Sequence, residues 1–251
     1  PILTIFLNSL LFFLNDISGE HEIIQHNVIP VALIQNNPAF LKQMIGFIPP
    51  KKTYNHISGI DLIKTNSDNF YVLEDNVRVP SGASYMIENR DTMIKLFPDL
   101  ISRYKVFENR NYSNNLSEIL KKSSPKKANR NPNIVLLTPG IYNSAFFEHA
   151  FLADKLGIEL VEGKDLRVIN KYLNMKTIEG WKRVDVIYRR IDDIFLDPLS
   201  FKEDSFLGVP GLMEVYRNKN VTIANAPGTG ISDDKSIYSY IPDIIKFYLG
   251  Q

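Results

Sequence analysis

The first stretch of the chain is almost wholly apolar, with its few polar positions on one side. Between residues 2 and 14 leucine, isoleucine and phenylalanine dominate, while Thr4, Asn8 and Asn15 fall on one helical face. This pattern predicts an amphipathic helix that packs on the rest of the protein. The stretch is shorter than the about 20 apolar residues that span a bilayer. It also lacks the basic start and the small-residue cleavage site of a signal peptide.

Short alternating segments then predict a β-hairpin. Residues 60–64 alternate apolar and polar positions, residues 65–69 (Thr-Asn-Ser-Asp-Asn) have the composition of a turn, and residues 70–73 are apolar again. Two such runs joined by a polar five-residue segment are typical of antiparallel strands. The following residues 86–96 have the spacing of a helix.

The second half of the chain has the pattern of parallel strands alternating with helices. Continuous apolar runs are expected of strands buried on both faces. Ser144 is a candidate N-cap for the first of these helices, and Gly157 is expected to end it. The predicted strands are 134–137, 158–161, 184–188 and 221–224, and the predicted helices are 145–156 and 233–249. We expect a small doubly wound domain.

A polar, basic segment separates the two halves. Residues 121–132 are rich in lysine, serine and asparagine and poor in apolar residues, which favours a solvated linker over a phosphate or nucleic-acid site. The predicted organisation is therefore an α+β unit over residues 1–120, a linker over 121–132, and a Rossmann-like unit over 133–251. The fold class is α/β.

Composition excludes several classes of protein. The 251 residues are 44% hydrophobic, and 29 basic against 28 acidic residues give a net charge of +1. A nucleic-acid binder would show a basic stripe with interleaved aromatic residues, so we expect no nucleic-acid partner and no membrane partner. The chain has no cysteine, which excludes disulfides and thiolate metal sites. We expect a cytoplasmic protein.

Three oxygen-bearing side chains converge in the predicted hairpin. Glu74 and Asn76 are two residues apart on one strand and therefore share a face. Asp61 lies on the other strand and can meet them across the ladder. Two carboxylates and an amide, without nitrogen or sulfur ligands, suit Mg²⁺, which completes its coordination with water and phosphate oxygens. The alternative is that these three residues are simply exposed polar side chains on the surface of the hairpin.

Four segments, taken in order, resemble one known family. Each is weak by itself, and their succession is specific. They are residues 74–82 (Glu-Asp-Asn-Val-Arg-Val-Pro-Ser-Gly), 137–144 (Leu-Thr-Pro-Gly-Ile-Tyr-Asn-Ser), 188–193 (Tyr-Arg-Arg-Ile-Asp-Asp) and 225–230 (Asn-Ala-Pro-Gly-Thr-Gly). Together with Asp61 before Glu74 and Asn76, they are similar to the circularly permuted ATP-grasp family, often labelled type 2 or glutathionylspermidine-synthase-like. The resemblance runs from about residue 15 to residue 251.

The resemblance implies a fold and a reaction. The metal-binding half of an ATP-grasp domain would come first and a Rossmann-like pre-ATP-grasp domain second. Asp61, Glu74 and Asn76 would bind two Mg²⁺ ions at the phosphates of ATP. The implied activity is an ADP-forming ligase: ATP phosphorylates a peptide-like or amino-acid-like carboxylate, and an amine attacks the acyl phosphate. The amide-forming outcome comes from the family alone.

Further site residues are expected around the metal set. Some relatives carry Arg where this chain has Gly59, and we predict that Arg78 takes that catalytic role, as a fixed positive charge suited to phosphate or acyl phosphate. Substrate contacts are predicted at Ser81, Asn143, Arg190 and Asp193. The cluster at 188–193 follows a predicted strand, where open α/β sheets bind ligands, but an interdomain ion-pair cluster is an equal alternative.

Other segments have simpler readings. Residues 225–230 lack the Gly-Lys-Ser/Thr ending of a phosphate loop, and we predict a turn. His149 is predicted to pack at a pocket rim rather than to act as a base. The chain begins with Pro1 and shows no lysine strand and glycine-rich loop of the family's lid half, so we expect a fragment. The many Asn, Lys and Ile residues suggest an AT-rich bacterial genome. A non-catalytic scaffold that lost the lid is the rival hypothesis, and the sequence does not indicate an oligomeric state.

Overall fold

The computed structural model describes residues 2–65, 69–104, 106–109 and 111–250, with the side chain of Ile2 excepted. The first half contains α1 (Ile2–Ile17), α2 (Glu22–Gln25), α3 (Val31–Gln35), β1 (Gly59–Lys64), β2 (Phe70–Asn76), α4 (Ala83–Leu96), α5 (Pro98–Arg103) and α6 (Tyr112–Lys122). The second half contains β3 (Ile134–Leu137), α7 (Phe146–Leu156), β4 (Glu159–Val161), β5 (Leu166–Ile169), β6 (Tyr172–Thr177), β7 (Gly180–Arg183), β8 (Val186–Arg189), α8 (Leu212–Arg217), β9 (Thr222–Ala224), α9 (Lys235–Tyr238) and α10 (Ile241–Leu249).

A four-stranded parallel sheet in the order β4-β3-β8-β9 forms the centre of the second half. All four residues of β3 are buried, because both faces of the sheet are covered. Ile134 and Leu136 face a core with α6 and α7, whereas Val135 and Leu137 face a core with α8. Helices on both faces of a parallel sheet make the doubly wound α/β architecture, which confirms the predicted fold class.

A three-stranded antiparallel sheet, β5-β6-β7, follows β4 and was absent from the sequence prediction. Leu173 and Met175 of β6 are buried in the α8 core, while the intervening Asn174 is less buried. The segment alternates weakly and is rich in charge, so its strand character depends on packing against the parallel sheet rather than on a strong local pattern.

The predicted hairpin is confirmed. β1 and β2 pair antiparallel, with Asp61 opposite Glu74 and Gly59 opposite Asn76. An irregularity between Asp61 and Leu62 shifts the register, as a β-bulge does. Residues 66–68 of the predicted turn lie outside the described part of the chain. The pairing therefore places the carboxylates of Asp61 and Glu74 directly opposite each other near the base of the hairpin.

The N-terminal helix is confirmed and packs against the other end of the chain. Phe6, Leu10 and Phe13 of α1 share one core with Ile241 and Ile244 of α10. The single helix predicted for residues 233–249 is wrong: α9 and α10 are separate. Asp234 caps α9, and a proline in the first turn of α10 begins a new helix.

The basic segment is only partly a solvated linker. Helix α6 extends to Lys122, and Ser123 and Pro125 are buried. The Thr222 hydroxyl of β9 donates to the carbonyl of Ser123 at 2.7 Å. Because α6 packs on the parallel sheet and α1 on α10, hydrophobic cores join residues from both sides of the predicted boundary. The division at 121–132 stays a prediction. None of the described helices is long and apolar enough to cross a bilayer.

Candidate active site

A cavity of about 240 Å³ opens where the order of the parallel strands reverses. The chain leaves β3 toward β4 on one side and returns to β8 on the other, and ligands of open α/β sheets bind at such a switch point. The cavity is lined by Val79, Ser81, Pro139, Asn143, Ala145, His149, Arg190, Ile191, Asp192, Phe195 and Leu207. It therefore joins the exit of the β1–β2 hairpin to the carboxyl ends of β3 and β8.

Arg190 is the main fixed positive charge of this cavity. Its side chain is 1% exposed, and its Nη2 forms an ion pair with Glu148 Oε1 at 3.0 Å. Nη1 donates to the carbonyl of Pro80 at 2.5 Å. Nε is buried and has no hydrogen-bond partner among the described residues. A buried guanidinium with a spare N–H suits a carboxylate or phosphate ligand.

Glu148 holds the two halves of the site together, and the sequence analysis did not single it out. Its Oε2 accepts from the backbone N–H groups of Gly82 and Ser84, at 2.7 and 3.1 Å, and from the Ser84 hydroxyl at 2.8 Å. Its other oxygen binds Arg190. One buried carboxylate on α7 therefore ties the loop after β2 to the end of β8.

His149 is a neutral donor at the cavity wall. Burial, helped by the nearby Arg190 charge, lowers its pKa to about 4. Its Nδ1 lies 2.8 Å from the Thr138 hydroxyl, which also accepts from the N–H of Gly140. We assign the proton to Nε2, because the hydroxyl hydrogen of Thr138 then has Nδ1 as its acceptor. His149 lines the pocket, as predicted, and its Nε2–H can donate a hydrogen bond to a ligand there.

Ser81 and Asn143 both line the cavity. The Asn143 carboxamide oxygen accepts from the N–H of Ala145 at 2.9 Å, which fixes the side chain and leaves the amide N–H₂ for a ligand. Ala145, not the predicted Ser144, is the N-cap of α7, and it has no side-chain cap bond. The asparagine two residues earlier satisfies the helix start instead, as Asn does in turns.

Asp193 lies away from the cavity lining. Its carboxylate pairs with Arg189 at 2.7 Å, with both side chains buried. Burial raises the pKa of Asp193 above its ordinary value, and the Arg189 charge opposes that rise. Arg189 also donates to the carbonyls of Asn225 and Ala226. Of the two readings of residues 188–193, Arg190 fits the ligand site and Arg189 with Asp193 fits the ion-pair cluster.

The predicted metal residues share one face of the hairpin ladder. Asp61 and Glu74 are opposite each other, and Asn76 is two residues further along β2. Glu74 Oε2 lies 3.4 Å from the Lys235 ammonium, in a partly exposed ion pair. Among the described residues no cluster of three or more His, Cys, Asp or Glu side chains is arranged for a metal. Two carboxylates and an amide fit Mg²⁺, which takes its remaining ligands from water and phosphate.

Asp75 points to the opposite face and is 3% exposed. Its two carboxylate oxygens have no hydrogen-bond partner within the described residues. Burial, and then the neighbouring Asp233 charge, raise the pKa of Asp75 to about 7. The strand thus alternates the outward side chains of Glu74 and Asn76 with the inward acid Asp75, which packs under the hairpin.

Arg78 stands between the metal face and the cavity. Its guanidinium lies 3.5 Å from Asp192, which lines the cavity, and both side chains are about half exposed. The Asp233 carboxylate accepts from the N–H groups of Val77 and Arg78, at 2.7 and 3.2 Å. A Cβ at Gly230 would lie 2.7 Å from Cδ of Arg78, so glycine is required for this side chain's position. Arg78 is placed to meet a negative ligand at the rim.

The segment 225–230 is a scaffold, in agreement with the predicted turn. The carboxamide oxygen of Asn225 accepts from the N–H groups of His56 and Ile57, and its N–H₂ donates to the carbonyls of Ile57 and Val77. The Thr229 hydroxyl also donates to Val77 at 3.1 Å. The end of β9 thereby fixes both the entry of β1 and the exit of β2.

His56, beside this scaffold, predicts a loss of stability in mild acid. Both ring nitrogens are buried without a partner among the described residues, and burial lowers its pKa to about 4. In the unfolded chain the pKa is about 6.5. Unfolding therefore takes up a proton between these values, so stability is full above pH 6.5 and is lost as the pH falls toward 4. We expect His56 to contribute about 2 kcal/mol of this loss between pH 7 and pH 5.

Denaturant unfolding of His56→Leu at pH 7 and pH 5 measures this contribution. The variant should lose about 2 kcal/mol less than the wild type between the two pH values. His26→Leu, the same change at an exposed histidine, is the control. Equal pH dependence in wild type and His56→Leu would contradict the assignment.

Comparison with known proteins identifies the family. The chain matches the family model described as a circularly permuted ATP-grasp over residues 4–251. An uncharacterized protein of Synechocystis sp. is 49% identical over 237 residues, which cover 94% of this chain and 49% of that protein. An uncharacterized protein of Mycobacterium tuberculosis is 47% identical over 237 residues, which cover 94% of this chain and 43% of the mycobacterial protein.

A protein of Frankia casuarinae is named as a candidate glutamate–cysteine ligase 2-2. It is 35% identical over 241 residues, which cover 95% of this chain and 28% of that protein. The chain thus spans about half the length, or less, of the curated relatives that it matches. The family model covers almost every residue, and the chain belongs to the circularly permuted ATP-grasp family.

Proposed function

We propose that this chain carries the metal-and-phosphate half and the carboxylate-binding pocket of an ATP-dependent, ADP-forming carboxylate–amine ligase. The observation that carries the proposal is the continuity of β2 with the cavity: Asn76, Arg78 and Ser81 follow one another within six residues. Six residues of extended chain span at most about 20 Å, so nucleotide phosphates and a substrate carboxylate can meet at this point.

The hairpin is proposed to hold the phosphates through Mg²⁺. Asp61, Glu74 and Asn76 would bind two ions, which neutralise negative charge on the phosphoryl group when they are present. The donor set and its shared face support this assignment. The ATP that the ions accompany is the cosubstrate, as family membership leads us to expect.

The cavity is proposed to orient the substrate carboxylate. Arg190 offers its spare Nε–H, His149 a neutral N–H donor, and Asn143 and Ser81 further donors. Because these groups are fixed by Glu148, Thr138 and Ala145, little reorganisation is needed on binding. The pocket therefore selects for a small anion, and an amino-acid-like or peptide-like carboxylate is its proposed ligand.

The reaction transfers the γ-phosphoryl group of ATP to the carboxylate oxygen and releases ADP. An amine then attacks the acyl carbon and loses a proton, and inorganic phosphate leaves. Arg78 is proposed to lie beside the acyl phosphate, where a permanently charged fork stabilises its oxygens. Asp193, bound to Arg189, is the weakest of the predicted substrate contacts. The name of the Frankia relative suggests glutamate as the first carboxylate to test.

The proposal predicts that ATP binds at the hairpin site of the intact protein only when Mg²⁺ is present. Calorimetric titration with and without EDTA measures this directly, and ADP formation with a panel of amino acids and amines identifies the pair. Since each metal–phosphate contact is electrostatic, removal of Mg²⁺ should weaken ATP binding at this site at least about tenfold. Equal affinity with and without metal would favour the rival, a scaffold that kept the fold without catalysis.

A further inference from the structure

A second cleft, of about 500 Å³, lies at the amino ends of the parallel strands, opposite the edge that carries the candidate active site. It is lined by Ile48, Pro49, Pro50, Lys51, Lys52, Pro125, Lys126, Lys127, Asn218 and Lys219. Pro125 to Lys127 precede β3 and Lys219 precedes β9, whereas the active-site cavity follows β3 and β8. The two sites are therefore separated by at least the length of a four-residue strand, about 13 Å.

Tertiary structure brings five lysines into this cleft from three separate segments. The residues lie at 51–52, 126–127 and 219, and no carboxylate is among the described residues that line the cleft. Lys51 donates to the carbonyl of Lys122. Within the described chain none of the five ammonium groups forms an ion pair with an acidic side chain. In a protein of net charge +1, this is a strong local excess of positive charge.

Three of these lysines adopt a backbone conformation that lysine disfavours. Lys51, Lys52 and Lys219 have φ values of 56°, 58° and 55°, in the left-handed region. Glycine or asparagine would occupy this region at lower cost. Asparagine stands on both sides of Lys219, yet lysine takes the left-handed position. Strained backbone of this kind clusters where a side chain has a task.

The floor of the cleft is rigid and apolar. Pro49, Pro50 and Pro125 are buried, and Ile48 is half exposed at the edge. Prolines fix the backbone, so the lysines project from a preorganised base. The volume matches that of small-molecule sites rather than that of an extended groove.

We propose that this cleft binds a small polyphosphate anion. Lysine ammonium groups are compact charges that bind phosphate oxygens from several directions, and five of them match the charge of a triphosphate. The ligand could be a nucleotide, whose base would rest on Ile48 and the prolines, or inorganic polyphosphate; both share the phosphate chain. The site is independent of the proposed ligase chemistry, because it lies at the opposite ends of the parallel strands.

The test titrates ATP and inorganic tripolyphosphate into the intact protein in EDTA, so that metal-dependent binding at Glu74 does not contribute. Lys126→Glu/Lys127→Glu should lower affinity for both probes at least tenfold. Lys176→Glu/Lys182→Glu changes the charge equally at exposed positions outside the cleft and should stay within twofold of the wild type. Tighter binding of ATP identifies a nucleotide, and equal binding identifies inorganic polyphosphate.

Three results would overturn the proposal. They are no saturable binding of either probe, equal losses in the two double variants, or tighter binding of a single-stranded oligonucleotide, which would indicate a nucleic-acid surface. Lys219→Asn adds an independent readout: it should raise the melting temperature, because asparagine tolerates the left-handed region, and should lower affinity about threefold. A raised melting temperature with unchanged affinity would also count against the proposal.

Glu74→Gln should leave the affinity for both probes in EDTA unchanged. This result would show that the lysine cleft binds phosphate independently of the metal site in the proposed function.

Discussion

Glu74→Gln is expected to reduce ATP-dependent ADP formation by the intact protein at least about 100-fold. The variant keeps the size and hydrogen-bonding reach of the side chain but removes the charge opposite Asp61. Stabilisation of developing phosphoryl charge by bound metal contributes several kcal/mol, and about 3 kcal/mol corresponds to this factor. A steady-state assay at saturating Mg²⁺ and ATP measures the effect.

The fold should survive this change. Glu74 pairs with Lys235 at 3.4 Å in a partly exposed position, and such pairs contribute about 1 kcal/mol or less. We expect the melting temperature without metal to move by about 3 °C at most. Asp61→Asn should reproduce the loss of activity. Glu179→Gln, at an exposed turn, is the matched control and should keep wild-type turnover. Wild-type turnover in Glu74→Gln would refute the metal assignment.

Asn225→Ala is expected to destabilise the protein by about 3 kcal/mol. The side chain makes four hydrogen bonds of 2.6 to 3.0 Å to backbone groups of His56, Ile57 and Val77. Alanine would remove the partner of the His56 and Ile57 N–H groups and of the Ile57 carbonyl, whereas the Val77 carbonyl keeps the Thr229 hydroxyl. Each buried group left unpaired costs about 1–3 kcal/mol unless water enters. Denaturant unfolding at pH 7 measures the change in free energy.

Asn218→Ala is the matched control, because the Asn218 carboxamide is exposed and donates only to the carbonyl of Glu214 among the described residues. Its effect should stay within about 0.5 kcal/mol. Since Asn225 fixes the entry of β1 and the exit of β2, Asn225→Ala should also weaken Mg²⁺-dependent ATP binding where the variant is folded. A loss of stability below about 1 kcal/mol would show that the hairpin base is held by other contacts.

The hairpin, the parallel strands and the amphipathic first helix could be predicted from the sequence, because each has a local pattern. Strands buried on both faces are continuous apolar runs, and residues 134–137 are one. The pairing of Asp61 with Glu74, and the shared face of Glu74 and Asn76, could also be predicted, since side-chain alternation and strand pairing are local rules. That these residues bind metal stays a prediction. These features needed no knowledge of distant contacts.

The sequence did not predict the β5–β7 sheet, the break between α9 and α10, or the role of Glu148. Strands β5–β7 are fixed by packing on the α8 core, which has no local signature. Glu148 is an ordinary helical acid until the fold places Arg190 and the loop at 82–84 around it. The contribution of a buried charge to stability depends on its partners. Which residues from distant parts of the sequence become those partners is decided by the fold.

The sequence by itself determined the fold class, the family resemblance and the hairpin that pairs Asp61 with Glu74, because these depend on residue types at short spacings. Tertiary structure alone decided which arginine serves a pocket and which a scaffold. Arg189 ends β8 and Arg190 follows it, and contacts with distant segments separate their roles. Arg189 donates to the carbonyls of Asn225 and Ala226, whereas Arg190 pairs with Glu148. It also gathered the five lysines of the second cleft. Those at 126–127 and 219 precede β3 and β9, whose amino ends meet at one edge of the sheet, and the fold brings residues 51–52, which precede the hairpin, to the same place.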